Sequence, residues 1–232
     1  MNILSSLKAK VKTLLKLHGD TYHEPDARDK YLEAIELSYL YSMFNLFNRV
    51  RKVPGHIVEV GVGAGRNAIV LGKLLKFTSQ HSNAKYFGFD TFESYTKLDL
   101  KENDGLSSTR WKDNSIEFVK NRIDNHGLNK ICEFIVGDIR RSLPEFIKES
   151  HARHGGDSLY CRLVYIDTSS YTPSKVSLEA LYELVVPGGI IAIDQRKQGG
   201  EWKALVEFCE EAGCKLVAGD NYNDVPAYIL KE

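Results

Sequence analysis

Five acidic residues carry the spacing that points to chemistry: Glu59, Asp90, Asp138, Asp167 and Asp194. Glu59 sits inside a short apolar run at 56–60, and the other four come at or just beyond the ends of the runs at 85–89, 132–136, 161–166 and 190–193. If these runs are strands of one open sheet, a ligand lies beyond their C-terminal ends, so the carboxylates converge on a single crevice. One such aspartate reads equally well as a helix N-cap. Five in series read as an acidic wall, which suits a ligand that is cationic or rich in hydroxyls and repels a pyrophosphate. The first carboxylate opens the turn Glu59-Val60-Gly61-Val62-Gly63-Ala64-Gly65, and an apolar-periodic helix follows from Asn67. Glycines there let a ligand rest on bare backbone beside a helix N-terminus.

A dinucleotide fingerprint needs a small residue in its third glycine slot, and Arg66 stands there. What remains, E-x-G-x-G-x-G, resembles the pattern of Rossmann-like S-adenosylmethionine methyltransferases. On that pattern Asp90, followed by Thr91, accepts from the ribose hydroxyls, each bond to a charged acceptor being worth about 1.5–3 kcal/mol. Asp138 accepts from the adenine amino group, and the backbone at Ile139 reads the ring edge. Glu59, Gly61 and Gly63 lie by the methionine part, whose ammonium and sulfonium are cationic, and Asp167 is a further cofactor-binding candidate.

The elements that must position these groups follow from periodicity. Helices are expected over 65–77, 114–125, from Pro144 onward, 174–185 and 200–212, alternating with the strands. The stretches 95–112 and 150–158 are polar and aperiodic, and read as loops. Alternation implies parallel strands joined by right-handed crossovers. Two last strands, 214–218 and 226–230, are joined too closely for a crossover and form an antiparallel ending. The fold class is therefore α/β, a doubly wound seven-stranded sheet with an antiparallel last strand, plus N-terminal helices at 3–17 and 30–50. Residues 1–52 read as a helical extension that caps the domain or makes a dimer contact, and 53–232 as the catalytic domain.

Composition narrows the class. The 232 residues are 43% hydrophobic and 27% charged, with 31 basic and 31 acidic side chains. No global field attracts nucleic acid or an anionic membrane, so a small-molecule partner is expected. There is no apolar run of spanning length and no signal-peptide core at the N-terminus, and Cys132, Cys161, Cys209 and Cys214 form no C-x-x-C pair. A cytoplasmic protein with reduced thiols is expected.

From about residue 40 to 230 the chain resembles the macrocin O-methyltransferase family. The resemblance rests on Val58-Glu59-Val60-Gly61-Val62, Gly88-Phe89-Asp90-Thr91-Phe92-Glu93, and Gly137-Asp138 followed by Ser142-Leu143-Pro144. It continues through Tyr165-Ile166-Asp167 with Tyr171 and Ser174, Leu181-Tyr182 with Pro187-Gly188-Gly189, and Ile193-Asp194. It implies methylation of a hydroxyl on a sugar, a glycan precursor or a glycosylated natural product. It also implies a divalent metal, for which Asp167, Asp194 and the Gln195 amide oxygen are the candidate Mg²⁺ ligands.

The chain departs from that family at three places. Gly63-Ala64-Gly65-Arg66 replaces a Trp, a basic residue and paired glycines; Asp167-Thr168-Ser169 replaces D-x-D; and Asp194-Gln195 replaces paired aspartates. Asp167 is the expected catalytic residue, as metal ligand or as base. Trp111, Tyr95 and Arg110 read either as a stacking surface for a sugar or as packing. His126, His151 and His154 read as surface residues, with His151 or His154 a candidate base. Arg196-Lys197 reads as a solvated turn or a contact to an anionic acceptor. The competing readings are a nicotinamide-dependent oxidoreductase and a non-catalytic cofactor-binding homologue.

Overall fold

The computed structural model describes residues 34–78, 83–102, 106–109, 111–154, 159–194, 199–219 and 226–232. The expected helix at 3–17 and the first residues of the one at 30–50 lie outside them. The chain divides into two units, 1–40 and 41–232. A helix, α1 (Ala34–Val50), spans the division, and the second unit holds everything that follows.

In chain order the second unit contains β1 (His56–Val60), α2 (Arg66–Thr78), β2 (Tyr86–Asp90), α3 (Lys97–Glu102), α4 (Ile116–Asn125), β3 (Cys132–Val136) and α5 (Ile139–His154). Then come β4 (Cys161–Ile166), α6 (Tyr171–Leu181), β5 (Val185–Ile193), α7 (Gly199–Ala212), β6 (Leu216–Val217) and β7 (Ala227–Leu230). The strands form one seven-stranded sheet in the order β3-β2-β1-β4-β5-β7-β6. The first five are parallel, and β7 pairs antiparallel with both β5 and β6. The antiparallel ending is as expected, with β7 inserted between β5 and β6.

The central strands are buried along nearly their whole length. That is what a parallel sheet covered by helices on both faces demands, and it explains their continuous apolar runs. Winding reverses between β1 and β4, so the crevice of such a sheet opens at their C-terminal ends. There the ladder continues beyond the strands. Gly137 N–H donates to the Asp90 carbonyl (2.9 Å), Gly61 to Phe89 (2.8 Å), Asp167 to Val60 (2.8 Å) and Asp194 to Ile166 (3.0 Å). These bonds hold the exits of five adjacent strands at one level.

Several boundaries differ from expectation, each for a local reason. α5 starts at Ile139 rather than near Pro144, because Asp138 caps it: its Oδ1 accepts from Arg140 N–H (3.0 Å) and its carbonyl from the N–H groups of Arg141 and Ser142. Pro144 lies inside the helix. α5 also runs on to His154, through the first part of the expected 150–158 loop. α6 begins three residues early and ends at Leu181, where a 3₁₀ turn takes over. β5 absorbs Pro187-Gly188-Gly189, which bonds with Lys231 near the chain end. The 95–112 stretch holds the short α3. Thr96 and Asp99 form its capping box: Thr96 N–H and Oγ1 donate to Asp99 Oδ2 (3.0 and 2.6 Å), and Asp99 N–H returns to Thr96 Oγ1 (3.2 Å).

Beneath the crevice Glu59 is fully buried, with 0% exposure. Its Oε1 accepts from Asn67 Nδ2 (2.6 Å), and its Oε2 accepts from the Tyr86 hydroxyl. It thereby ties α2 and β2 to β1. Burial pushes its pKa well up, the Asn67 bond opposes this, and the charges of Asp167, Asp90 and Asp194 push it further up. The folded chain therefore holds this proton more tightly than the unfolded chain does. The resulting stability is present below the ordinary carboxylate range and is lost as pH rises through the elevated folded value.

Two outcomes follow from these contacts. The drop in melting temperature between pH 5 and pH 8 shrinks in Glu59→Gln; an unchanged drop means that this acid does not set it. Gly61 has φ of 92°, and a Cβ there would lie 2.0 Å from the Asp167 carbonyl oxygen. Gly61→Ala therefore loses at least about 3 kcal/mol in urea denaturation, through strain and overlap combined.

Candidate active site

The expected site residues come to one edge by way of backbone, and each carboxylate meets a different environment. Asp90 ends β2. Its Oδ2 accepts from Gly63 N–H (2.9 Å) and its Oδ1 from Phe92 N–H (2.8 Å), so it ties the glycine turn to the strand exit. Burial pushes its pKa up, and these backbone bonds oppose that. Phe92 adopts a left-handed backbone (φ 54°) and buries its ring edge-on against Phe134. Thr91, between them, is half-buried.

Asp138 is not the bare acceptor expected from sequence. Arg140 Nε donates to both of its oxygens (2.8 and 3.0 Å) and Nη2 to Oδ2 (2.6 Å). Although burial pushes Asp138 up, these bonds and the guanidinium charge outweigh it and hold the carboxyl below its ordinary range. A ligand amine at Asp138 must share the carboxylate with Arg140. The same guanidinium reaches Asp99 Oδ1 (3.2 Å) and Thr96 Oγ1 (2.8 Å), so it ties α3 to the exit of β3. Ile139 packs its side chain into the core, leaving only its backbone for a ligand.

Asp167 ends β4 at the point where Gly61 passes closest. The turn after it, Thr168-Ser169-Ser170, includes the left-handed Ser169 (φ 57°). Glu201, in the first turn of α7, grips this turn from behind. Its Oε1 accepts from the Ser169 N–H, and the residue has 0% exposure. Burial, then the charge of Asp167, pushes its pKa well up. Thr168 Oγ1 bonds the Ser174 hydroxyl (2.8 Å), which donates to the Ser170 carbonyl (2.7 Å). Asp194, at the end of β5, is exposed, and its Oδ1 accepts from the Tyr165 hydroxyl (2.5 Å).

Sequence reasoning missed Arg140, Glu201, Tyr86 and Tyr165. The tyrosines had a signal, since a hydroxyl inside a buried strand needs a partner. Glu201 had none, because an acid in the first turn of a helix reads as solvated.

Gly61 and Gly63 stand at the turn as expected, while Glu59 lies under it with no exposure to the crevice. His126 is exposed at the end of α4. Gln195, Arg110, Arg196 and Lys197 lie outside the described residues, as do the side chains of His151 and His154.

Of the expected Mg²⁺ set, Asp167 and Asp194 are described. One oxygen of Asp194 already accepts from Tyr165. Among the described residues no three of His, Cys, Asp or Glu are grouped to hold a metal ion. The third expected donor, Gln195, lies outside the described residues.

Comparison with known proteins bears on the fold and the family. No curated protein matches the chain by sequence. Among solved structures, the calicheamicin methyltransferase CalS11 superposes with a TM-score of 0.73 at 21% identity, covering 99% of this chain and 93% of that one. An apo structure of CalS11 carries the description TDP-rhamnose 3'-O-methyltransferase and superposes at 0.67 with 20% identity, covering 99% and 95%. The O-methyltransferase NovP gives 0.67 at 19% identity, covering 99% of both chains. At these identities the likeness shows the fold. Residues 58–195 match the family described as "Methyltransferase domain". That stretch is more than half of the chain and runs from within β1 to just past β5, so the chain belongs to the methyltransferase-domain family.

Proposed function

We propose that this protein transfers the methyl group of S-adenosylmethionine to a hydroxyl of a sugar or sugar-bearing small molecule. The observation that carries this reading is the row of strand exits. Asp90, Gly61, Asp167 and Asp194 follow one another on adjacent strands, joined by backbone bonds at a single level. Asp90 is the ribose acceptor, the Gly61–Gly63 turn carries the methionine part, and Asp167 faces the transferred methyl. The descriptions of CalS11 and NovP as O-methyltransferases, and of CalS11 as acting on TDP-rhamnose, support a sugar hydroxyl as the acceptor.

A sulfonium is already activated, so the reaction is an in-line displacement governed by alignment. The acceptor oxygen attacks the methyl carbon, the carbon–sulfur bond breaks, and its electron pair stays on sulfur as a neutral thioether. The hydroxyl proton goes to Asp167 as general base. Gly61 packs against the Asp167 carbonyl and Glu201 holds the turn that follows it, while the crevice supplies negative charge toward the cation. No step here runs through a metal.

Calorimetric titration tests the cofactor: S-adenosylhomocysteine binds and NADH does not. Asp90→Ala weakens S-adenosylhomocysteine at least about 10-fold, as loss of a charged acceptor requires; unchanged affinity removes the ribose assignment. Asp167→Asn, assayed with TDP-rhamnose as probe acceptor, lowers turnover at least about 100-fold, the scale of lost base catalysis, while affinity stays within about 3-fold. Equal losses in turnover and affinity assign Asp167 to folding instead.

A further inference from the structure

Trp111, which the sequence reads as a sugar-stacking or packing residue, takes no part in the site described so far, yet the fold spends strain on it. It is a bulky residue with a left-handed backbone (φ 69°), and its side chain is left 41% exposed. Such a conformation costs of the order of a non-glycine residue forced into a sparsely populated region, and it persists only where surrounding structure over-determines it. Two hydrogen bonds hold it: Trp111 Nε1–H donates to the Tyr95 hydroxyl (3.3 Å), and Asn114 N–H donates to the Trp111 carbonyl (2.9 Å), just before Ser115 caps α4. α4 is itself fastened to the glycine turn. The Arg122 guanidinium donates to the Ala64 carbonyl, and Val119 lies 3.1 Å from where a Cβ on Gly65 would stand.

The indole is thereby delivered to Gly63. Its Cε3 and Cζ3 atoms lie 3.9 Å from where a Cβ on Gly63 would stand, which is ordinary van der Waals contact. Gly63 donates its N–H to Asp90, and Trp111 borders the space that a side chain on Gly63 would fill. A nucleoside held by Asp90 and laid on this turn meets the indole within one residue's width.

We propose that Trp111 is a cofactor-binding residue whose indole forms the wall of the S-adenosylmethionine site over Gly63, opposite Asp90. This inference rests on the cofactor named under the proposed function. The indole offers an apolar surface to the ribose and a π-face to the adjacent sulfonium, an attraction that strengthens as water is excluded. Tyr95 sets the indole by its hydroxyl and is a positioning residue.

The chain's two tryptophans, Trp111 and Trp202, make the test direct. In Trp202→Phe, S-adenosylhomocysteine still changes the remaining tryptophan emission; in Trp111→Phe it does not. Trp111→Gly relieves the left-handed backbone, so its melting temperature equals or exceeds that of the wild type. It nonetheless binds S-adenosylhomocysteine about 5-fold or more weakly, as loss of an aromatic wall predicts. S-adenosylmethionine, which carries the sulfonium, loses more than the neutral thioether does.

Affinities within 2-fold of wild type, or emission from Trp111 that ignores the ligand, overturn the proposal while leaving the cofactor reading intact. Lower stability in Trp111→Gly with affinity unchanged assigns the residue to packing and also overturns it. Failure of the wild type to bind S-adenosylhomocysteine overturns both.

Discussion

The hydrogen bonds that carry the sheet ladder past the ends of its strands are the constraint on which the site depends. A parallel sheet normally lets its chains diverge into loops at this edge. Here Gly137, Gly61, Asp167 and Asp194 each keep one more backbone bond to the neighbouring strand. Side-chain carboxylates that follow are then spaced by the sheet and not by their loops. Gly61 is the tightest point. Its backbone runs against the Asp167 carbonyl so closely that no side chain fits between them. The glycine turn and the exit of β4 therefore cannot move independently, and anything bound on the turn is referenced to Asp167.

Bringing acids together in this way costs free energy, and the protein offsets it differently at each position. Asp90 draws backbone N–H groups from the turn that it helps to shape. Asp138 is held ionised by Arg140. Asp194 takes a hydroxyl bond from Tyr165 and keeps its exposure to water. Glu59 and Glu201, both fully buried, have their pKa values pushed up by burial and by the carboxylates in front of them. A buried carboxyl surrounded by like charge neutralises more readily than it ionises. The result is layered: two acids that favour the protonated form lie behind, and Asp90, Asp167 and Asp194 line the edge.

How much of this was legible in the sequence depends on the range of the interaction concerned. The glycine turn, the acidic exits and the antiparallel ending are local patterns, and each was readable from spacing alone. The capping box of α3 was equally local, in Thr96 and Asp99, but sat inside a stretch whose lack of period masked it. The start of α5 was misplaced because Pro144 is the conspicuous helix signal, whereas Asp138 does the capping. Arg140 was legible only in part: Asp138, which it grips, stands two residues away, but Thr96 and Asp99 lie 44 and 41 residues away, and the pairing of β2 with β3 brings them near. Glu201 likewise acts on Ser169, 32 residues before it, through the packing of α7 beside β5.

The proposed chemistry gives the layered acids a consistent part. Methyl transfer converts a cationic sulfonium into a neutral thioether while an acceptor proton arrives on Asp167. One positive charge leaves the bound cofactor, and one negative charge leaves the crevice wall, so the net charge of the occupied site stays constant through the step. A wall that only attracted cations would hold the reactant more firmly than the transition state and slow the reaction. A wall whose nearest member is neutralised in the same step avoids that penalty, because its attraction for the cation declines as the cation disappears.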